Sequence, residues 1–227
     1  MARATRKKRP KPRRTLTRER ILRQAIGLAD ESGLEGLSMR ALGDSLGAGT
    51  MSLYNHVADK RALLDGIAEL LAREIHVPVV GGDWRASMRQ RAVSARDLFV
   101  RHPWAARLFE SRTEFGPAWL GLLDATIGCL RRAGFSVVAS YRALLLMDSY
   151  IYGFALQETS WQADGATPAE TAAAFEGQAT AAYPHFGEVI AHFMSGAGDS
   201  TAGLPREFEL GLERVLDAVA ALGEVAG

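Results

Sequence analysis

The sequence predicts an all-α protein, and three observations support that prediction. Apolar side chains recur at intervals of three and four residues through most of the chain after residue 16, which is the spacing of one helix face. Residues that favour helix termini stand where these apolar stripes begin and end. No convincing run alternates apolar with polar residues, as a half-buried strand would.

Four short helices are predicted before residue 77. They cover 18–32 after a Thr17 cap, 39–46 after a Ser38 cap, 50–56, and a segment that begins after an Asp59 cap. Gly33 and Gly47 follow the first two stripes, at the position where many helices end in a left-handed residue. Each stripe is therefore bounded by residues that favour a helix terminus.

Longer helices are predicted after the segment HVPVVGGDW at 76–84, which contains two glycines and a proline. Such a break indicates a connection between domains. The helices beyond it cover 84–101, 117–133, 137–160, 168–181 and 206–222. The sequence thus predicts a small helical domain followed by a larger one.

The composition is that of an ordinary globular protein, with 48% hydrophobic and 23% charged residues in 227. Its single cysteine, Cys129, cannot form an internal disulfide and lies in an apolar run, so a buried thiol in a reducing compartment is expected. No apolar run approaches the length of a membrane span, and the basic N-terminus is not followed by the apolar segment of a secretory signal.

The first 14 residues, MARATRKKRPKPRR, hold eight of the 27 basic side chains and no acid, which leaves 19 basic against 26 acidic side chains in the rest. Because like charges repel and two prolines interrupt the segment, a disordered arm is expected. Two interpretations remain open for this arm. It is either a solubilising tail or a segment attracted to nucleic-acid phosphates.

The segment LGAGTMSLYNHVADKRALL at 46–64 predicts a helix-turn-helix, in which two short helices meet at a glycine-containing turn. Leu53 and Val57 are its apolar anchors, which leaves polar side chains free to point outward: Thr50, Ser52, Tyr54 and His56. In this plan the start of the second helix meets base edges in the major groove. Arg40 and Lys60 add cations beside helix N-termini, which favour phosphate. A helical hairpin that only packs is the alternative.

Two segments, GLEGLSMRALGDSLG and SLYNHVADKRALLD, resemble the N-terminal domain of the tetracycline-repressor (TetR) family of bacterial transcription regulators. Later segments resemble the C-terminal domain of the tetracycline-repressor branch: HPW, RRAGFS, YRALLLMDSYIYGFALQE and FELGLERVLDAV. The resemblance implies an all-α homodimer with a DNA-reading and a ligand-binding domain in each subunit. It also implies that ligand binding changes the spacing of the two DNA-reading domains.

This resemblance implies a cytoplasmic, ligand-responsive regulator, and it favours a repressor that a small-molecule effector releases from a palindromic DNA operator. The predicted parts are a disordered basic arm (1–15), a helix-turn-helix DNA-binding domain (16–77) and a helical effector-binding and dimerisation domain (78–227). By position, the DNA contacts fall on Arg40, Thr50, Met51, Ser52, Tyr54, His56 and Lys60. Thr50 and Met51 differ from the tetracycline repressor, so a different operator sequence is expected.

The resemblance also implies a ligand pocket, with candidate contacts at His76, Phe109, Trp119, Thr126, Asp148, Tyr150 and Gln157. His76 matches a tetracycline-contacting position, whereas Phe109 and Gln157 stand where the tetracycline repressor has metal-associated side chains. Because phenylalanine cannot ligate a cation, we expect an effector that needs no metal, and no cofactor. The aromatic candidates suggest a partly apolar, aromatic effector, with core packing as the alternative for each of them.

Asp148 interrupts the otherwise apolar helical segment LLLMDSYIYGFAL. Because a buried carboxylate needs a partner, Asp148 is predicted either to bind the ligand or to pair across the dimer interface. By resemblance, the helices at 137–160 and 206–222 form that interface as a four-helix bundle with their symmetry mates.

Three further patterns in the sequence suggest an esterase, a metal site or non-specific nucleic-acid binding. GDSLG at 43–47 matches the G-x-S-x-G pattern of esterases, but that chemistry needs a strand-to-helix turn and no strand is predicted. His185, Glu188 and His192 share one helical face, which leaves a metal site open. Nucleotide-binding and metalloprotease motifs are missing, so no enzyme is expected. The remaining alternative is a sequence-independent nucleic-acid-binding protein that acts through the basic arm.

Overall fold

Regular structure is α-helical throughout the residues that a computed structural model of the protein describes, which are 15–111, 116–163, 183–194 and 203–224. The helices in these ranges are α1 (Arg18–Gly36), α2 (Met39–Leu46), α3 (Thr50–Tyr54), α4 (Lys60–Ala72), α5 (Trp84–Arg101), α6 (Ala105–Glu110), α7 (Pro117–Arg132), α8 (Val137–Ala163), α9 (Pro184–Met194) and α10 (Gly203–Glu224). The all-α prediction is confirmed. The basic arm and the helix predicted at 168–181 lie outside the described residues.

The chain divides into two compact units between Leu63 and Leu64, inside α4. In the first unit, α2 packs against α1 and α3. In the second unit, α8 packs against α5, α6, α7 and α10, and α5 contacts α6, α7 and α10. Helices α5 and α8 are therefore the centre of the second unit. The functional boundaries inferred from the sequence, which assign all of α4 to the DNA-binding domain, stay a prediction.

The caps predicted from the sequence hold the first unit's helices. Thr17 Oγ1 accepts a hydrogen bond from the Arg20 N–H (3.2 Å), and Ser38 Oγ accepts one from the Ala41 N–H (3.1 Å). Gly47 ends α2 in the left-handed conformation with φ 61°. The core of this unit contains the buried apolar side chains Ile21, Leu22, Ala25, Ala29, Leu37, Leu42, Leu53 and Val57.

Some helix boundaries differ from the predicted ones because local backbone conformation and local hydrogen bonds extend or end the helix. The backbone leaves the helical region at Gly33 (φ 70°), as predicted, but another turn follows to Gly36. Helix α3 ends at Tyr54 because the N–H groups of His56 and Val57 both turn back to the Leu53 carbonyl. Helix α6 was missed, since six residues are too few to show helical periodicity.

The described residues also bear on membrane insertion and on the reactivity of Cys129. Within the described residues, no helix combines the length and apolar character needed to cross a membrane. Cys129 is buried, as predicted, and burial raises the pKa of its thiol, so the thiol stays protonated and unreactive at neutral pH.

Replacing Gly47 by alanine is expected to destabilise the first unit by about 1 kcal/mol, because a side chain in the left-handed region costs roughly 1–2 kcal/mol. Gly49→Ala is the matched control, since Gly49 has φ −63° and open space around an added Cβ. Hydrogen exchange on the intact chain should show the amides of α2 and α3 opening about fivefold more often in the Gly47 variant only. Equal exchange in both variants would contradict this account of the turn.

Candidate functional site

Helix α3 presents a row of side chains to solvent on a small apolar base. Leu53 is fully buried and Val57 nearly so, which fixes the orientation of the helix. Met51 is 79% exposed, and Ser52, Tyr54 and His56 are exposed with it. Thr50 is half-buried at the first position of the helix. These five predicted DNA contacts therefore lie together on one short segment.

Two predicted cationic contacts lie at the starts of the neighbouring helices. Arg40 is exposed in the first turn of α2. Lys60 is exposed at the start of α4, and its Nζ lies 3.5 Å from the Leu34 carbonyl oxygen. The Asp59 carboxylate accepts a hydrogen bond from the Ala62 N–H at 2.7 Å, which caps the helix that Lys60 begins. Both cations are thus held at helix N-termini.

In the second unit, Arg91 of α5 is buried, with 3% of its side chain exposed. Its Nη2 donates a hydrogen bond to Asp148 Oδ1 of α8 at 2.7 Å. Its Nε and Nη1 have no acceptor among the described residues. Asp148, predicted to bind the ligand or to pair across a dimer interface, therefore has a partner within its own chain, and its role towards a ligand stays a prediction.

His76 lies beside the same part of α5. Its backbone N–H donates to Ser94 Oγ at 2.8 Å, and Ser94 Oγ donates to the Arg91 carbonyl at 3.0 Å. The ring atom Nε2 of His76 is buried without a hydrogen-bond partner among the described residues. Two polar side chains with unused hydrogen-bonding atoms, those of His76 and Arg91, thus come from backbone segments joined through one hydroxyl.

An aromatic series begins next to Asp148. The Tyr152 ring lies 5.0 Å from Phe99, Phe99 lies 5.9 Å from Phe109, and Phe109 stacks on Trp119 at 4.6 Å between ring centroids. Burial, and secondarily the Asp148 carboxylate, raise the pKa of Tyr152, so its hydroxyl stays protonated. The structure therefore brings two predicted ligand contacts, Phe109 and Trp119, into one aromatic series with Phe99 and Tyr152.

The other predicted ligand contacts have different surroundings. Thr126 is buried, and its hydroxyl donates to the Leu122 carbonyl of its own helix at 2.6 Å. The Tyr150 hydroxyl donates to the Phe208 carbonyl at 2.7 Å, and the Tyr150 ring stacks on Phe208, so this residue joins α8 to α10. Gln157 is exposed on α8. Their roles towards a ligand stay predictions.

A second arginine of α5, Arg96, forms a complete buried ion pair. Its Nε and Nη2 donate to the two carboxylate oxygens of Glu158 at 2.8 and 2.5 Å. The Glu158 side chain is 2% exposed, and the guanidinium also lies 5.3 Å from the centre of the Phe208 ring. This pair fixes α5 against α8, since a buried guanidinium and a buried carboxylate each require the other.

Glu69 of α4 caps another helix of the second unit. Its two carboxylate oxygens accept the Ala118 N–H at 2.8 and 3.0 Å, at the N-terminus of α7. Gly116, the cap residue of α7, has no side chain to do this, and a Cβ there would overlap the Glu69 carboxylate. A negative charge is favourable at this end of a helix. The end of α4 is thereby joined to the start of α7.

No group of three or more His, Cys, Asp or Glu side chains in the described ranges is arranged to hold a metal ion. His185, Glu188 and His192, which share a face of α9 and are exposed, do not form such a group.

With this geometry in place, comparison with known proteins identifies the family. Residues 78–222 match the family model of the tetracyclin repressor-like C-terminal domain. The chain belongs to the TetR family. The HTH-type transcriptional repressor DrrR1 of Streptomyces coeruleorubidus is 33% identical over 220 residues, which cover 94% of this chain and 80% of that protein. The class A tetracycline repressor from transposon 1721 of Escherichia coli is 33% identical over 147 residues, covering 63% of this chain and 68% of that protein.

Solved structures of TetR proteins agree with this membership. The TetR family protein ActR of Streptomyces coelicolor, in complex with actinorhodin, superimposes with a TM-score of 0.72 and 27% identity, over 91% of this chain and 98% of that chain. Two repressors are thus similar to this chain in sequence, and a TetR family protein solved with a bound ligand is similar to it in fold. The chain is a ligand-responsive, DNA-binding transcriptional regulator, and the alternative of sequence-independent binding through the basic arm is not favoured.

Sequence reasoning missed four polar residues of the second unit: Glu69, Arg91, Arg96 and Glu158. A signal was present for Arg91, which follows Met88 by three residues and precedes Ala95 by four, so it stands on the apolar stripe of α5. A charged residue on such a stripe must find a partner or a ligand, which is the argument that singled out Asp148. The capping role of Glu69 had no local signal, because it depends on the packing of α7.

Replacing Glu158 by alanine is expected to destabilise the protein by about 3–5 kcal/mol, because Arg96 would lose its buried counter-charge and keep only the exposed Asp97 carboxylate, 3.4 Å from its Nη1. Urea unfolding followed by circular dichroism measures this change. Glu74→Ala is the control, since Glu74 pairs with Arg101 at the surface, where such a pair contributes about 0–1 kcal/mol. The double variant Arg96→Met, Glu158→Leu should recover most of the loss. Similar destabilisation in the Glu74 and Glu158 variants would contradict the assigned burial.

Proposed function

We propose that this TetR-family chain is a homodimeric repressor that binds a palindromic operator through α3 and releases it when a small-molecule effector binds the second unit. The observation that supports this best is the row of outward side chains on α3, held on the buried anchors Leu53 and Val57. A helix of five residues with this much exposed surface contributes little to the stability of the fold by itself. Its chemistry suits a major groove.

Each side chain of this row is given a role by its chemistry. Thr50 and Ser52, with short hydroxyls, contact base edges at the start of the helix, and exposed Met51 contacts the methyl group of a thymine. Tyr54 and His56 donate hydrogen bonds to phosphate oxygens, which position the protein on the duplex. Arg40 and Lys60 add attraction to the same backbone from two helix N-termini.

The proposed dimer is formed by α8 and α10 as a four-helix bundle with their copies. Val138, Tyr141, Leu145 and Leu156 of α8 are exposed apolar residues whose spacing places them on one helix face. Burying this face against a second copy would remove it from water, and two-fold symmetry would impose a palindromic operator. The functional parts are the arm (1–15), the DNA-binding domain (16–77) and the effector-binding domain (78–227).

The proposed effector is a partly apolar, aromatic small molecule that binds without a metal ion among the predicted contacts of the second unit. Two observations support this class: the aromatic series from Tyr152 to Trp119, and the complex of the related ActR with actinorhodin. The regulator acts where the DNA is, in the cytoplasm, and it performs no catalysis of its own.

The proposed coupling runs along α4. This helix begins at Lys60, continues past the boundary between the units, and ends in the segment where Glu69 caps α7. An effector that favours a different position of α7 or α5 would move the end of α4 and with it the spacing of the two copies of α3. The loss of DNA affinity cannot exceed the effector's preference for that second state.

In-vitro selection of DNA sites with the full chain, at one near-physiological salt concentration, tests the proposed function. We expect a two-fold symmetric consensus. Met51→Ala should change the selected bases, whereas Tyr54→Phe should keep them and weaken binding about tenfold, since it removes one hydrogen bond to a charged group. Arg107→Gln, which removes an exposed cation of α6, is the control for charge alone. Binding without sequence preference would refute the proposal and favour the basic arm as the binding element.

A second prediction concerns the coupling through α4. Glu69→Ala should leave operator binding intact but reduce the effect of an inducing ligand on it, because the Ala118 N–H loses its acceptor and α7 is no longer joined to α4. The measurement is operator affinity by fluorescence anisotropy, with and without the ligand that releases the wild-type protein. Glu74→Ala removes a surface carboxylate near the same helix and should respond as the wild type does. Full release of the Glu69 variant would exclude this connection.

A further inference from the structure

Arg91 is a buried group whose hydrogen bonds are incomplete among the described residues. Within the described ranges its Nη2 has one partner, Asp148 Oδ1, while its Nε and Nη1 have none. A guanidinium carries five N–H donors and no acceptor, and leaving its N–H groups unpaired away from water is costly. A bound molecule that offers acceptor oxygens to Arg91 would remove this cost.

Arg96, on the same helix, has a carboxylate partner that accepts hydrogen bonds through both of its oxygens. It uses two nitrogens on both oxygens of the fully buried Glu158 carboxylate. Arg91 receives one oxygen from Asp148, whose side chain is 22% exposed and whose charge is therefore better screened by water. Among the described residues, Arg91 consequently has one acceptor oxygen, where Arg96 has the two oxygens of a carboxylate.

The surroundings of Arg91 indicate what kind of molecule would bring such oxygens. Tyr152 follows Asp148 by one helical turn, and its ring begins the aromatic series that continues to Phe99, Phe109 and Trp119. The unused Nε2 of His76 lies on the chain segment that is hydrogen-bonded through Ser94 to the Arg91 carbonyl. A polar group of a ligand at Arg91 would thus lie beside aromatic rings.

We infer that Arg91 binds a carboxylate of the effector, and that the effector is an aromatic carboxylic acid. The two parallel oxygens of a carboxylate match two N–H donors of a planar guanidinium, whereas a neutral ester offers a single good acceptor and no charge. The inference rests on the proposed function, because it names the chemical class that the effector-binding unit selects.

Matched pairs of probes test this selection. Naphthalene-2-carboxylate and anthraquinone-2-carboxylate are titrated into the full chain by calorimetry, each beside its own methyl ester. The acids should bind at least about tenfold more tightly than the esters, as expected for a charge-assisted hydrogen bond in a buried site. Each probe is then added to the protein bound to its selected DNA site, and release is followed by anisotropy.

Variants assign the selection to Arg91. Arg91→Met should bring each acid to within about threefold of its ester, and Arg91→Lys should keep part of the preference, since lysine retains charge without the planar pair of donors. Asp148→Asn should keep the preference. The double variant Arg91→Met, Asp148→Asn gives the same test without leaving a carboxylate unpaired. Arg101→Gln removes an exposed cation of the same helix and should bind as the wild type does.

Three results would overturn the inference: esters that bind as tightly as acids, a preference for acids that survives in both Arg91→Met variants, or no binding by either acid. Failure of the proposed function has a different signature. If neutral probes release the selected DNA, the regulator stands and the acid assignment fails. If no DNA site is selected, the regulator fails, while the calorimetric preference still reports on Arg91.

Discussion

The cost of burying a guanidinium organises the second unit of this protein. Helix α5 places two arginines against α8, and each requires an acceptor there, because a charge taken out of water without a partner is strongly destabilising. Arg96 and Glu158 satisfy each other fully, so they fix the two central helices. Arg91 and Asp148 satisfy each other only in part. In the described residues, one helix pair thus combines an ion pair with complete hydrogen bonds and one with unused donors, which we propose as the ligand contact.

Local chemistry made much of the fold predictable from sequence. Thr17, Ser38 and Gly47 form the caps expected of them, because a cap depends on a few neighbouring atoms. Helix α6 could not be placed because six residues are too few to show helical periodicity, and the ends of α3 and α10 differ by a few residues because the apolar pattern does not show the local hydrogen bonds that end a helix. The ion pairs of α5 could not be predicted either, because they depend on how α5 packs against α8. A sequence shows that Arg91 stands on an apolar stripe but not which residue of α8 faces it.

In the first unit, the residues that stabilise the fold differ from those proposed to contact DNA. Its apolar side chains, such as Leu42 and Leu53, are fully buried and fix the orientation of α3, whereas Met51 is 79% exposed and Tyr54 43% exposed. Substitutions at exposed positions away from special features usually change stability by less than about 0.5 kcal/mol. Under the proposed function, DNA specificity can therefore change through substitutions on α3 without loss of the fold.

Coupling between ligand and DNA must then depend on elements that are neither core nor recognition surface. In the proposed mechanism Glu69 is such an element, because its carboxylate is held at the N-terminus of α7 by charge and by the Ala118 N–H, which both of its oxygens accept. Such a cap is either made or broken, and the packed helices around it are bistable rather than continuously deformable, so a small shift at one end can be amplified at the other. Linkage also requires reciprocity: an effector that weakens operator binding must itself bind the operator complex more weakly by the same factor. In this proposal, Arg91 would bind the carboxylate of the effector, and the Glu69 cap would connect the resulting change in α7 to α4.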